Sequence, residues 1–512
     1  MTTQRKISGS PTLRKSIEQI HTENASHGLT RSLNAVQLTM LGVGSTIGAG
    51  IYVMTGTAAA NYAGPSILLS FLVAGLACLF TALSYSELAS AMPVSGSSYS
   101  YAYVSLGERW AWWTGWLLLL EYGISCAGVA AGFSGYAVSL LHDFGIIIPD
   151  ALTHTTIHST LTPSGMVADS GWRLDAVGAG VILFVTFFLV RGIQESARIN
   201  TAVVFLKVGV LLIFVLVGIR AIHPEYWHPF IPPSEGAFRY GIGGIFRAAS
   251  LVFFAYVGFE AVSTASAEAI NPRKDVPTGI VLSLVICTLV YICVAAVLIG
   301  VVPWRTLDVA DPLALAVDAM GMPSLTIIVK LGAVIGLCSV LFGLLYAQSR
   351  IFFTISRDGL IPQIFSQLHP RFNTPWLGAI LLGLFVALAT ATLPIDIIGD
   401  LVSIGTASAF GVVSFTVIWD RNTRPDGERP FKVPLGGVTI GGVWIGIVPA
   451  LGILFSVIMA APLFIDVLRD FTTGNRTPLI LLVLYFTTGA LIYRFYGRQN
   501  SRLAASNPMI GK

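Results

Sequence analysis

Long apolar runs alternate with short polar connectors over almost the whole chain. A helix needs about 20 mainly apolar residues to cross roughly 30 Å of hydrocarbon. Twelve segments meet or approach that length: 33–60, 66–91, 110–140, 175–191, 199–219, 241–269, 278–301, 325–354, 376–393, 397–418, 441–465 and 478–496. The pattern predicts an all-α integral membrane protein with twelve transmembrane helices. The first run is peculiar, because Gly42, Gly44, Gly48 and Gly50 interrupt it at its centre, in Gly42-Val43-Gly44-Ser45-Thr46-Ile47-Gly48-Ala49-Gly50. Glycine-broken backbone survives in hydrocarbon only where it is buried in protein or lines a cavity. The amides that start the second half would suit a carboxylate, and the last carbonyls of the first half would suit a cation.

The sixth run echoes the first. In Phe253-Phe254-Ala255-Tyr256-Val257-Gly258-Phe259-Glu260 a glycine and a carboxylate interrupt an apolar helix near its middle. Two interrupted helices at matching places in successive five-span blocks mark an inverted repeat, here 33–219 and 241–418. The segment 441–496 then supplies two peripheral helices, between tails 1–32 and 497–512. At 1.5 Å per residue, residues 46–50, Glu121, Lys207 and Gly258 fall about 13–20 Å from the same end of their spans. Distant parts of the chain thus converge on one level.

Composition agrees: 54% of residues are apolar and only 11% charged, against about 25% charged in an average soluble domain. With both tails on one side, most of the 30 Lys and Arg fall on that side too, which predicts cytoplasmic termini. The net charge of +4 follows from this bias and calls for no nucleic acid. Cys78, Cys126, Cys287, Cys293 and Cys338 lie in apolar runs without CxxC spacing, so they read as buried small hydrophobes, with no disulfide framework and no metal site. No cofactor is implied. The loop 142–173 reads as a surface cover, and Glu87 as interfacial.

Three ionisable residues inside the runs carry candidate chemistry. A mid-membrane lysine costs on the order of 2.5–3.5 kcal/mol to insert, so Lys207 needs a role. It is the candidate proton-coupling site, with permanent bonding to carbonyls of the first broken run as the structural alternative. Glu121 would face the interior and attract a cationic side chain, or else pair with a protein hydroxyl or with Lys207. Glu260 would hold the second break open by accepting backbone N–H bonds, or respond to a moving proton. Phe253, Phe254, Tyr256 and Phe259 could form an aromatic lid, or simply pack.

Gly42–Val53, Ala63-Gly64-Pro65, Tyr85-Ser86-Glu87-Leu88, Pro93-Val94-Ser95-Gly96-Ser97, Gly258-Phe259-Glu260, Asn271-Pro272 and Phe431-Lys432-Val433-Pro434 together resemble the cationic amino acid transporter branch of the amino acid–polyamine–organocation superfamily. The resemblance covers roughly residues 30–465 and favours the bacterial members, because animal members have fourteen spans and an aspartate where Glu260 stands. It implies a leucine-transporter-like fold with discontinuous helices 1 and 6. It implies that Ser45, Thr46, Gly48, Ala49 and Gly50 bind the substrate carboxylate, and that carbonyls near Phe253, Ala255 and Tyr256 accept its α-ammonium. It places Lys207 where a sodium ion sits in other relatives, and Glu121 on an acid of the bacterial members.

The expectation is a secondary-active permease, not an enzyme, in a bacterial inner membrane. Its partners would be an amino acid, a proton and the lipid bilayer, and its action a symport of cationic amino acids by alternating access. An exchanger and a broad-range neutral amino acid permease are the alternatives within transport. A sensor that binds without transporting is the alternative outside it.

Overall fold

An apolar run in lipid must satisfy its backbone internally, and the chain accordingly folds almost wholly into helices. The computed structural model describes residues 14–15, 31–94, 96–162, 165–192, 197–236, 238–473 and 476–506. Most of tail 1–32, Ser95 and residues beyond 506 lie outside the described residues.

The first helix, α1 (Ala35–Thr46), starts at a reciprocal cap. Asn34 accepts from the Gln37 amide at 2.9 Å, and Gln37 accepts from the Asn34 amide at 3.1 Å. After the first break come α2 (Ile67–Ala91), α3 (Ser97–Ser105), α4 (Glu108–Leu118) and α5 (Ser125–Asp143), then α6 (Ala176–Val190) and α7 (Ala197–Gly218). The second half holds α8 (Gly241–Val252), α9 (Ala261–Thr264), α10 (Pro272–Val301), α11 (Pro312–Ala319), α12 (Pro323–Arg357), α13 (Trp376–Thr392) and α14 (Ile395–Thr423). Two further helices follow, α15 (Ile447–Thr473) and α16 (Thr477–Ile492).

Among the described residues nine helices are long and apolar enough to cross a membrane. The predicted runs 175–191 and 376–393 form shorter helices, α6 and α13, which pack on each other. The two broken runs divide into pieces that are individually short. The connector 92–109 is more ordered than expected, since α3 is buried along its whole length. In the loop 142–173, β1 (Ile157–Thr162) and β2 (Gly165–Ser170) form an antiparallel hairpin with Ile157 opposite Ser170. A second hairpin pairs β3 (Gly437–Ile440) with β4 (Val443–Gly446).

Burial ranks the helices by position. In Gly241–Thr264 the most apolar stretch is 83% buried, whereas in Thr477–Ala504 it is 11%, so the second broken run is central and the C-terminal helix peripheral. Leu72, Phe184, Leu216, Leu388, Val457 and Leu484 point outward, an apolar girdle that lipid rather than water would cover. Cys78, Cys126 and Cys287 are buried as expected, but Cys293 joins the outward face of α10.

Several deep charges are paired. Lys330 bonds Asp143 at 2.6 Å. Arg247, 1% exposed, bridges Asp400 at 2.9 Å and Asp466 at 2.5 Å, with its guanidinium 4.6 Å from the Tyr62 ring centroid. Glu87, read as interfacial, is instead buried between the Arg421 guanidinium, at 2.7 and 2.5 Å, and the Val433 amide, at 2.7 Å. On what we call the tail face, Asp358 accepts from Lys15 at 2.5 Å and from Tyr99 at 2.7 Å.

Removing one partner of such a buried cluster strands the other charges, at a cost of about 3–5 kcal/mol. Arg247→Ala should therefore lower the melting temperature of the detergent-solubilised protein well below that of Arg247→Lys in a thermal-shift assay. Equal melting of both variants and the wild type would contradict this.

Candidate functional site

The first break falls where the sequence placed it. The α1 helix ends at Ile47, whose ψ of 94° leaves the helical region. The chain bends through Gly48 and re-enters helix in a wide π-type turn, Gly50–Met54. In the second broken run, α8 gives way to a tight 3-10 turn, Phe253–Tyr256. Val257 is extended and Gly258 sits at φ +123°, a conformation that side chains rarely tolerate. The short α9 follows.

The two breaks face each other. A Cβ on Gly258 would lie 2.6 Å from the Ser45 carbonyl, and a Cβ on Gly50 would lie 2.2 Å from Ala255 Cα. Backbone meets backbone at both points, so only glycine fits. At the tail face the amides of Ser32 and Leu33 donate to the Glu268 carbonyl at 2.9 and 3.0 Å, and the Ile270 amide donates to Leu33 at 2.9 Å. At the opposite face the Tyr240 amide donates to the Tyr62 carbonyl at 2.8 Å, and its hydroxyl to Ala60 at 2.7 Å. The broken runs are thus tied at both ends as well as at the middle.

Carbonyls freed by the breaks have partners. Lys207 Nζ donates to Gly44 at 2.6 Å and to Ile47 at 3.3 Å, the last carbonyls of α1. Its aliphatic stem runs past Gly336 of α12, where a Cβ would come within 2.6 Å of it. The Tyr291 hydroxyl of α10 is within donor range of both Thr46 O, at 2.8 Å, and Ala255 O, at 2.9 Å, one on each broken run. Neither Tyr291 nor Gly336 was singled out from the sequence. Tyr291 is the one aromatic residue in α10, which was the available signal; nothing local distinguishes Gly336.

The remaining candidates separate into two neighbourhoods. Ser45 and Thr46 turn their hydroxyls back onto Leu41 O and Gly42 O, leaving the main chain of 48–50 as the polar surface at the break. Around it stand aliphatic and aromatic groups: Val129 and Val340 beside Gly48, Leu337 and Ala49 beside Gly132, and Phe254 and Ile398 against Gly128. Of the four lid candidates, Phe254 reaches across to α5. Phe253 and Phe259 instead pack on Phe410, edge-on at 5.6 Å and tilted at 5.4 Å, and Tyr256 packs on Tyr291 and donates to Phe71 O at 2.9 Å.

Glu121 and Glu260 form the second neighbourhood. Both are fully buried, and each is the other's charged neighbour. Both Glu260 oxygens lie 3.0 Å from the Gly258 amide, so this side chain does cap the second break. Glu121 sits in a π-type turn, Leu119–Ile124, and does not meet Lys207, which is engaged on α1.

Residues 33–489 match the sequence model of the amino acid permease family. The chain belongs to this family. It is 39% identical to the methylthioribose transporter of Bacillus subtilis, over 96% of this chain and 98% of that protein. It is likewise 39% identical to the branched-chain amino acid permease of Bacillus subtilis, over 97% and 100%. The vacuolar cationic amino acid transporter 4 of Arabidopsis thaliana shares 36% identity over 81% of this chain and 67% of that protein. This permease is therefore a multi-pass membrane transporter of the amino acid–polyamine–organocation superfamily rather than an enzyme.

Gly258→Ala and Gly50→Ala would force the broken runs of the permease apart. Each should abolish detectable substrate binding in a scintillation proximity assay, while the protein still elutes as a single folded peak. Tyr291→Phe should cost about 1 kcal/mol of stability, the usual worth of one buried hydrogen bond, read as a modest fall in melting temperature. Wild-type binding by either alanine variant would contradict the facing-break geometry.

Proposed function

We propose that this permease is a proton-coupled symporter of α-amino acids with apolar, branched-chain-type side chains. It would work by alternating access in a bacterial inner membrane, with both termini cytoplasmic. The observation that carries the substrate class is the wall around the first break: Val129, Leu337, Val340, Ile398 and Phe254 offer an apolar side chain dry contacts and a cationic one no partner. The likeness to a branched-chain permease over nearly the full length of both chains supports the same class.

In this reading the amides of Gly48, Ala49 and Gly50, with Ser45 and Thr46 beside them, hold the substrate carboxylate. The carbonyls near Phe253, Ala255 and Tyr256 accept the α-ammonium. Blocks 33–219 and 241–418 act as inverted five-helix repeats of a twelve-span fold. Lys207 takes part in coupling: as an ammonium it fixes the Gly44 and Ile47 carbonyls, and loss of its proton weakens that clamp and loosens α1. Phe254 closes over the bound side chain.

A second reading, uptake of arginine, lysine or ornithine, draws on one observation. Glu121 carries a buried carboxyl with no hydrogen-bond partner in the protein, which a cationic side chain could satisfy. Exchange without net proton movement would look similar in sequence.

Uptake of radiolabelled leucine into proteoliposomes separates these. An inward gradient of one pH unit should raise leucine accumulation by up to about tenfold per coupled proton, since one unit equals 1.36 kcal/mol. Isoleucine and valine should compete, and arginine should not. Lys207→Ala should lose the gradient's effect. Accumulation of arginine in preference to leucine would favour the second reading, and counterflow indifferent to pH would favour the exchanger.

A further inference from the structure

Four polar side chains from three different runs converge beside the second break. Glu121 and Tyr122 come from the π-type turn between α4 and α5, Tyr85 from α2, and Glu260 from the end of the second break. All four are buried, with Cys78 of α2 beside the two carboxyls. Both oxygens of Glu121 find no donor in the protein; Tyr122 lies against Glu260 and Tyr85 against Ser98, and each tyrosine has the two carboxyls as its charged neighbours. Buried polar atoms normally find partners. Two buried carboxylate oxygens without a donor, beside a second carboxyl, therefore mark a place where something binds.

Charge decides what it is. Glu260 takes the Gly258 amide on both oxygens, while Glu121 has only the Glu260 carboxyl beside it. The cations on neighbouring elements are engaged elsewhere: Lys207 on Gly44 and Ile47, Lys330 on Asp143, Arg421 on Glu87, and Arg247 on Asp400 and Asp466. On α12 the group facing this turn is the neutral amide of Gln348, against Gly123, and on α14 it is Gly405, against Leu120. Two adjacent buried carboxylates without a counter-cation cannot both remain ionised, and a pair so placed titrates as one unit. The turn that carries Glu121 is a wide one, of the kind found at functional sites within membrane helices.

We propose that Glu121 and Glu260 together bind one exchangeable proton, forming a protonation site separate from Lys207. The proton arrives from water at one face of the membrane, adds to a carboxylate oxygen of the pair, and leaves to water at the other. No further bond is made or broken. The pair straddles a seam that transport must work, because Glu121 belongs to the α4–α5 run and Glu260 to the second broken run. Motion of one run past the other separates the carboxyls, removes their mutual repulsion and frees the proton. The tyrosine hydroxyls stand ready to hydrogen-bond the carboxylate that remains. The inference rests on the transport reading above, and it suits a neutral substrate, since the site then carries its own charge compensation.

The test begins with the wild-type protein, so folding of variants does not enter. Dicyclohexylcarbodiimide, an apolar reagent that adds to protonated buried carboxyls, should label the peptide containing Glu121 or that containing Glu260, with one adduct per chain. Labelling should fall as pH rises, and it should persist in Lys207→Ala. Protection by arginine but not leucine would assign the pair to a cationic side chain, and protection by sodium would assign it to that ion. Either result, or absence of labelling at every pH, overturns the proposal. In proteoliposomes, Glu121→Gln and Glu260→Gln should each lower leucine accumulation under a one-unit gradient by about tenfold, the worth of one coupled proton. Wild-type accumulation with a wild-type pH profile in both variants would overturn it as well. A wild type that shows pH-dependent labelling but no gradient-driven uptake would leave the proton site standing and sink the transport reading instead.

Discussion

Hydrocarbon supplies no partner to an open backbone, and this protein opens its backbone twice at depth. The rest of the arrangement follows from that constraint. The breaks are placed against each other, so that each shields the other from lipid. Gly258 and Gly50 are there because the facing main chains, Ser45 and Ala255, leave no room for a Cβ. Lys207 and Tyr291 then close the carbonyls that the breaks expose. Bonds between Leu33 and Glu268 at one end, and between Tyr62 and Tyr240 at the other, make the two interrupted runs a single mechanical unit.

That unit has a polar centre in apolar surroundings, and this contrast separates recognition of the amino acid's backbone from recognition of its side chain. Main-chain amides and carbonyls at the breaks can serve any zwitterion. Selectivity is left to the walls, where Val129, Val340, Leu337, Ile398 and Phe254 gather. Charge elsewhere is neutralised in place: Arg247 between two aspartates, Glu87 against Arg421, and Lys330 against Asp143. Against that background the Glu121–Glu260 pair stands out, because two buried carboxyls lie side by side with no ion pair to either among the described residues.

Much of this was legible in the sequence because membrane insertion amplifies the signal. Glycines and lone charges are costly in lipid, so the Gly48–Gly50 and Gly258 breaks, Lys207, Glu121 and Glu260 announced themselves. The capping role of Glu260 and the carbonyl clamp of Lys207 were both among the readings open at that stage. What escaped was pairing across distance. Glu121 could be placed at the right depth, but depth does not fix azimuth, and its neighbour proved to be Glu260 rather than Lys207. Glu87 looked interfacial because its partners, Arg421 and Val433, lie more than 300 positions away. The buried α3 was missed because its serines and tyrosines are not apolar enough to betray a helix packed inside a membrane protein.

The central claim is that bare main chain at two facing breaks holds both ends of an amino acid. Equilibrium titration of the purified protein with leucine, leucinol and 4-methylpentanoate tests it most directly. Leucinol lacks the carboxylate and 4-methylpentanoate lacks the α-ammonium, while all three share the side chain. The account predicts binding of leucine alone. Comparable affinity for either truncated compound would show that the breaks do not grip the zwitterion, and would contradict it.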